Sequence, residues 1–361
     1  MTATIATSER PSFWIRHWKV ILNILTIAAL AGLVYAIRDQ LVETIGNFRY
    51  INLWILALIV PIEFLNYHSQ VRLYQRLFAI VGNKLRYGFM FRTALELNFV
   101  NHVFPSGGVS GISYFGLRMK DGHKITASKA TLVQVMKIVL TLLSFELVLI
   151  AGLLILAVTG KASNLTMFIT GSLSTLLVAG TLIFSYIIGS KRRINGFFTG
   201  MTRFINRVIR LVRPNNPETI NIERSRVAFD DMHENYLLFR RHYRELRAPF
   251  FYALMTSVTE LGALYIVYVA FGDLVNVGAV ILAYAVANFA GLISVMPGGV
   301  GIYEALMTGV LSASGVPAAL SLPVTVMYRV VNTAIQVPPG YYFYHKALRG
   351  GGLSARKAGS G

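Results

Sequence analysis

Residues 294–304 read SVMPGGVGIYE. They follow a long apolar run, and the run stops at Pro297, Gly298 and Gly299. Gly301 comes two residues later, and Glu304 just behind it. Proline and glycine end one helix, and the spacing lets a new one begin near Val300 or Gly301. Its first turn exposes unpaired N–H groups carrying partial positive charge. Such a helix start suits a phosphate, and glycine lets backbone approach a ligand without a Cβ in the way. Tight helix–helix crossings use the same small residues. Glu304 near the new helix start is favourable as a cap, or serves as a proton site or gating ion-pair partner.

The surroundings of this stretch are membrane-like. The chain has 361 residues, 55% of them hydrophobic and only 14% charged. A soluble domain carries about 25% charge. The fold class expected is an all-α, polytopic membrane bundle. Apolar runs suited to spans lie at 20–37, 51–67, 129–158, 167–189, 249–271, 277–296 and 323–345, with a shorter one at 302–316. That gives about eight spans. The run 20–37 is read as a retained first span rather than a signal segment.

Net charge is +18, but the basic residues cluster between apolar runs. That pattern fits positive-inside topology and anionic lipid, and no nucleic-acid partner is expected. Thirteen Lys and Arg lie in 190–248, whereas 159–166 holds only Lys161 and 272–276 holds none. Both termini are therefore placed in the cytoplasm, provided that 93–117 enters and leaves on that side as a re-entrant segment. Three parts follow: a membrane half over 1–189, a basic cytoplasmic helical hairpin over 190–248, and a second membrane half with a short tail over 249–361. In the hairpin, Phe197 to Val212 and Phe229 to Leu246 each show apolar residues at helical spacing. Pro214 and Pro217 separate the two stripes.

The opening stretch has an echo. NFVNHVFPSGGVSG at 98–111 resembles NFAGLISVMPGGVG at 288–301. Each starts Asn-Phe, runs apolar, then reaches Pro-containing glycine pairs. Spacing before the prolines differs by two residues, so the chain reads as two diverged repeats. Asn98, Gly107 and Gly108 are the counterparts of the second motif. Downstream, Lys137 and Arg329 each follow a Val-Met inside an apolar segment. Repeats of this kind meet near the bilayer midplane in transporters, and their broken helices mark the binding site. Broken backbone at that depth is tolerated only inside protein or along a wet cavity.

Ionisable residues inside apolar segments cost roughly 2.5–3.5 kcal/mol each, yet the chain keeps Glu63, Glu96, Lys137, Glu146, Glu260, Glu304 and Arg329. The cations suit capture of an anionic headgroup, or ion pairing with Glu304 or Glu96. No catalytic constellation is present: there is no H-E-x-x-H, G-x-S-x-G or D-x-D. The chain has no cysteine. No metal and no cofactor is expected. Glu304 with His102 is the one pair that an acid–base enzyme could use.

These residues carry a resemblance. NHVFPSGGVSG, MPGGVGIYEA, the intramembrane Arg329 and the long basic central linker look like the lysylphosphatidylglycerol synthase transmembrane-region family, over about residues 15–345. The resemblance implies a bacterial or archaeal inner-membrane protein akin to the lipid-flipping part of the multiple peptide resistance factor. The soluble aminoacyl-transferase domain of that factor has no counterpart in this sequence, so lysine transfer is not carried over. What is expected is a lipid translocase that holds an anionic phospholipid or polyprenyl-phosphate-linked lipid between two repeats. The headgroup residues would be Pro297, Gly298, Gly299, Gly301, Glu304, Arg329, Lys137, Gly107, Gly108 and Asn98. The alternatives are an integral-membrane transferase on a lipid-linked substrate and a non-transporting partner protein. A second copy of the chain or a pathway enzyme is the protein partner to expect.

Overall fold

Asn52 caps the first described helix: its Oδ1 accepts from the N–H groups of Trp54 and Ile55 at 3.0 and 3.3 Å. The computed structural model describes residues 51–104, 109–123, 125–160, 164–193, 233–291 and 301–349, with scattered single positions at 35–46 and 195–203. Among the described residues every regular element is helical. The helices are α1 (Leu53–Ala57), α2 (Ile59–Ile80), α3 (Tyr87–Val103), α4 (Val109–His123), α5 (Ala127–Val158) and α6 (Asn164–Ile188). A 3₁₀ turn at Tyr243–Leu246 leads into α7 (Arg247–Ala270), then α8 (Val277–Gly291), α9 (Ile302–Ala313) and α10 (Ala318–Arg349). Among the described residues, four helices are long and apolar enough to cross a membrane: α5, α6, α7 with its preceding turn, and α10. The expected span at 20–37 and most of the 190–248 hairpin lie outside the described residues; positions 233–241 are helical.

One boundary differs from the sequence reading. The apolar run at 51–67 continues as helix to Ile80, through Arg72 and Arg76 beyond the end of the expected span. Val71, Tyr74, Leu77 and Phe78 are buried while Arg72 and Arg76 are exposed. This is amphipathic helical spacing, which a search for uninterrupted apolar runs passes over.

Two four-helix units repeat. Helices α2, α3, α4 and α5 correspond in order to α7, α8, α9 and α10. The turns after α2 and α7 are the same. Gly82 and Gly272 sit at φ 81° and 87°, a conformation glycine adopts without penalty. Asn83 N–H donates to Phe78 O at 2.8 Å, and Asp273 N–H donates to Tyr268 O at 3.1 Å. Gly82 and Gly272 close the inner bond of each cap, to Ala79 O and Val269 O, at 3.0 Å in both cases. These are Schellman caps.

The two units are inverted. Helices α2 and α7 pack along their length. Asn52 N–H donates to Ala270 O at 2.8 Å, Ile62 faces Gly262, and Asn66 Nδ2 reaches Thr256 O at 3.1 Å and Thr259 Oγ1 at 2.9 Å. Rising numbers on one helix meet falling numbers on the other, so the pair is antiparallel.

Each unit also carries a hairpin of short helices. In the first, Phe89 meets His123 with ring centroids 4.4 Å apart, Glu96 meets Arg118, and Gly111 lies against Asn101. Helices α3 and α4 thus run antiparallel, with their open end beside the turn after α2. In the second, α9 packs on both α8 and α10. Its open end lies opposite, where Asn276 Nδ2 donates to Thr159 Oγ1 at 2.9 Å. At a rise of 1.5 Å per residue, the described part of α8 spans about 23 Å, and α9 about 18 Å.

Glycines join the units. A Cβ at Gly340 of α10 would lie 2.7 Å from Leu95 O and 2.6 Å from Phe99 Cβ on α3. A Cβ at Gly278 of α8 would lie 2.4 Å from Gly152 O on α5. Each long helix therefore crosses the hairpin of the other unit at backbone contact. Pro338 and Pro339 precede Gly340 inside α10, and the helix runs on to Arg349.

Candidate functional site

The middle of the bundle is polar. Gly301 is the N-cap of α9, at φ 87°. Its N–H donates to Glu304 Oε2 at 2.7 Å, so the carboxylate reaches back over the helix start. The same carboxylate pairs through Oε1 with Arg329 Nη1 of α10. Arg329 also sits over the Tyr303 ring, 4.9 Å from its centroid. Glu304 thus caps the helix and neutralises an interior arginine at once.

His102, near the tip of the first hairpin, lies within electrostatic reach of Arg329. Its Nδ1–H donates to Asn98 O at 2.9 Å. The two hairpins open at opposite ends of the bundle. Pro297, Gly298, Gly299, Gly107 and Gly108 lie outside the described residues.

Lys137 approaches from the other unit. Its Nζ lies 5.6 Å from the centroid of the Tyr74 ring and within electrostatic reach of Glu260. Tyr303 feels both Glu260 and Arg329, which links the two cations through one region. Lys137 and Arg329 each stand about a third of the way along a 32-residue helix. The surroundings of Lys137, Glu260 and His102 are dense with protein atoms. All three nevertheless keep part of their surface uncovered, as do Asn288, Arg329 and Asn332.

Two of the expected ion pairs sort differently. Arg329 takes Glu304, one of the partners anticipated. Glu96 does not pair with Lys137 or Arg329. It takes Arg118, whose Nε and Nη2 donate to the two carboxylate oxygens at 2.8 and 3.2 Å. Tyr114 Oη adds a third bond at 2.7 Å. Arg118 falls one residue past the 93–117 segment expected to be re-entrant and is not among the expected ion-pair residues. The available signal was helical spacing: Tyr114 and Arg118 are four apart, so both point to one face. Glu63 is buried too and accepts from Gln336 Nε2 of α10 at 3.1 Å. Among the described residues no three His, Asp or Glu side chains gather as a metal site.

The sequence profile described as the lysylphosphatidylglycerol synthase TM region matches residues 20–340. The chain belongs to this family. A UPF0104 membrane protein of Methanothermobacter thermautotrophicus is 32% identical over 91 residues, 25% of this chain and 27% of that protein. A UPF0104 membrane protein of Pyrococcus horikoshii is 26% identical over 99 residues, 27% of this chain and 30% of the relative. Each match thus spans under a third of the curated relative. Together with the apolar helices, membership of the lysylphosphatidylglycerol synthase TM region family makes this a multi-pass membrane protein with a lipid-related role.

Proposed function

We propose that the polar space between the two inverted units holds the phosphate of an anionic lipid headgroup, and that the protein is a lipid translocase. The observation that carries this is that Lys137 and Arg329, at corresponding places in the two units, both lie beside the group formed by Glu260 and Tyr303. Arginine suits bidentate phosphate contact, and an interior cation otherwise costs several kcal/mol, about 2.5–3.5 on insertion scales. The acyl chains stay in the surrounding bilayer, beside faces such as that of α6, where Leu165, Phe168, Leu176 and Leu182 are exposed. The short hairpins α3–α4 and α8–α9 are then re-entrant segments, one from each side. Asn98 and Gly301 then face the headgroup, and Gly107, Gly108, Pro297, Gly298 and Gly299 are the further residues that the sequence motif assigns to it.

Orientation follows from charge. The ends of α2, α4 and α10 and the starts of α3 and α7 share one end of the bundle. Lys84, Arg86, Arg118, Lys120, Arg244, Arg247, Lys346 and Arg349 lie at or next to that end. By the positive-inside rule this end is cytoplasmic, in a bacterial or archaeal cytoplasmic membrane.

The test is native mass spectrometry on protein purified in mild detergent, comparing the parent with Arg329→Gln and Lys137→Gln. A phosphate-bearing lipid retained by the parent and lost in both variants supports the proposal. The same lipid retained in all three removes the headgroup role from these cations.

A further inference from the structure

We propose that Glu63, Glu260 and Lys137 form a binding site for one exchangeable proton, set where α2 and α7 cross. The site rests on helix packing and does not require the headgroup reading.

Both carboxyls belong to one polar network. Gln336 Nε2 donates to Glu63 Oε2 at 3.1 Å and to Asn332 Oδ1 at 2.8 Å. Asn332 Nδ2 approaches Tyr328 Oη at 3.4 Å. Tyr328 adjoins Tyr284, and Tyr284 Oη donates to Glu260 Oε2 at 2.8 Å. The network runs from α2 through α10 and α8 to α7. It joins the two carboxyls on either side of the antiparallel crossing.

Charge does not balance there. Among the described residues, Glu96 is matched by Arg118 and Glu304 by Arg329. Of Glu63 and Glu260, Glu260 alone has a cation within electrostatic reach, Lys137. Glu63 is 2% exposed, and an interior carboxylate without a counter-ion takes up a proton rather than stay charged. One proton brings the three groups to neutrality.

A second observation points the same way. The Tyr67 hydroxyl, one turn along α2 from Glu63, is buried, approaches Asn98 and closes no hydrogen bond among the described residues. A carboxylic acid at Glu63 adds an O–H donor beside it, whereas a carboxylate adds none.

The groups facing Glu63 are Glu260 from α7, Gln336 and Tyr328 from α10, and Tyr67 on its own helix. Glu260 is faced by Lys137 from α5, Tyr284 from α8, Tyr303 from α9, Tyr328 from α10 and Asn66 from α2. Lys137 is the cation among them that balances Glu260. On the headgroup reading above, phosphate capture at Lys137 draws its charge away from Glu260. A second proton then binds from solvent, and lipid binding becomes coupled to proton uptake.

Infrared spectroscopy of the purified full chain at neutral pH tests the site without any lipid. The carboxylic-acid C=O stretch reports protonated carboxyls, and solvated Asp and Glu are ionised at this pH and silent. One acid band is expected in the parent, which for this measurement carries Glu146→Gln to remove the other interior carboxyl of α5, absent in Glu63→Gln and two-fold stronger in Lys137→Met. Glu96→Gln should leave it unchanged, because Glu96 is ionised against Arg118. No acid band in the parent, or the same band in Glu63→Gln, overturns the proposal. If Glu63→Gln does not fold, an undoubled band in Lys137→Met overturns it equally. Lipid retention in the parent is read separately, so failure of the headgroup reading leaves this result standing.

Discussion

Glu304 and Arg329 pair across α9 and α10 in the interior of the bundle, and the same carboxylate closes the N-terminus of α9. Removing one member leaves the other charge buried. Breaking such a pair costs about 3–5 kcal/mol. Arg329→Gln and Glu304→Gln should each lower the melting temperature in detergent. The double variant should lose much less than the sum of the two, because residues in contact are not additive. Additive losses would show that the two side chains act independently.

The glycine crossings are the second point of sensitivity. Gly340→Ala and Gly278→Ala force a methyl against backbone carbonyls of the opposite unit. Overpacking of this kind costs about 1–3 kcal/mol. Gly171→Ala on α6 meets nothing within 4 Å and should be neutral or stabilising by about 0.4–1 kcal/mol. Thermal unfolding of the three variants side by side checks the contrast. Equal behaviour would mean the units are not in backbone contact.

The turns repeated after α2 and α7 give a paired expectation. Gly82 and Gly272 both hold positive φ, where an L side chain costs about 1–2 kcal/mol. Gly82→Ala and Gly272→Ala should destabilise by similar amounts if the two turns do the same job. Melting temperatures report it, and a loss at one site only would break the equivalence.

The pair Glu96–Arg118 is bidentate, and lysine cannot reproduce that fork. Arg118→Lys should therefore destabilise the α3–α4 hairpin and lower the melting temperature in detergent relative to the parent. An unchanged melting temperature would show that the second hydrogen bond adds nothing.

These pairs also show how far the sequence could be read. The repeat was legible because Asn98 and Asn288 begin matching stretches with glycine pairs behind them, and motifs survive as strings. Arg329 and Lys137 were legible because a charge inside an apolar run stands out. Arg118 was not, since it follows a glycine-rich, less apolar segment and looks like loop. Its role depends on Glu96, 22 positions earlier, meeting it across a hairpin. The extension of α2 to Ile80 was missed for a related reason. Arg72 and Arg76 interrupt the apolar run, yet fall together on one exposed face. The inversion of the units had no local signal at all. It appears only when Asn66 is found against Thr256 and Thr259, and no spacing within one helix encodes that.

The central claim is that the interior between the two units carries an anionic lipid headgroup across the membrane. The most direct measurement is transbilayer movement of a headgroup-accessible fluorescent phosphatidylglycerol in proteoliposomes, read by quenching of the outer leaflet. The parent is compared with Lys137→Gln and Arg329→Gln at matched protein content and confirmed folding. Movement is expected with the parent, and at least a tenfold slower rate with either variant, equivalent to about 1.4 kcal/mol. Equal rates in parent and variants, or no movement in the parent above protein-free vesicles, would contradict it.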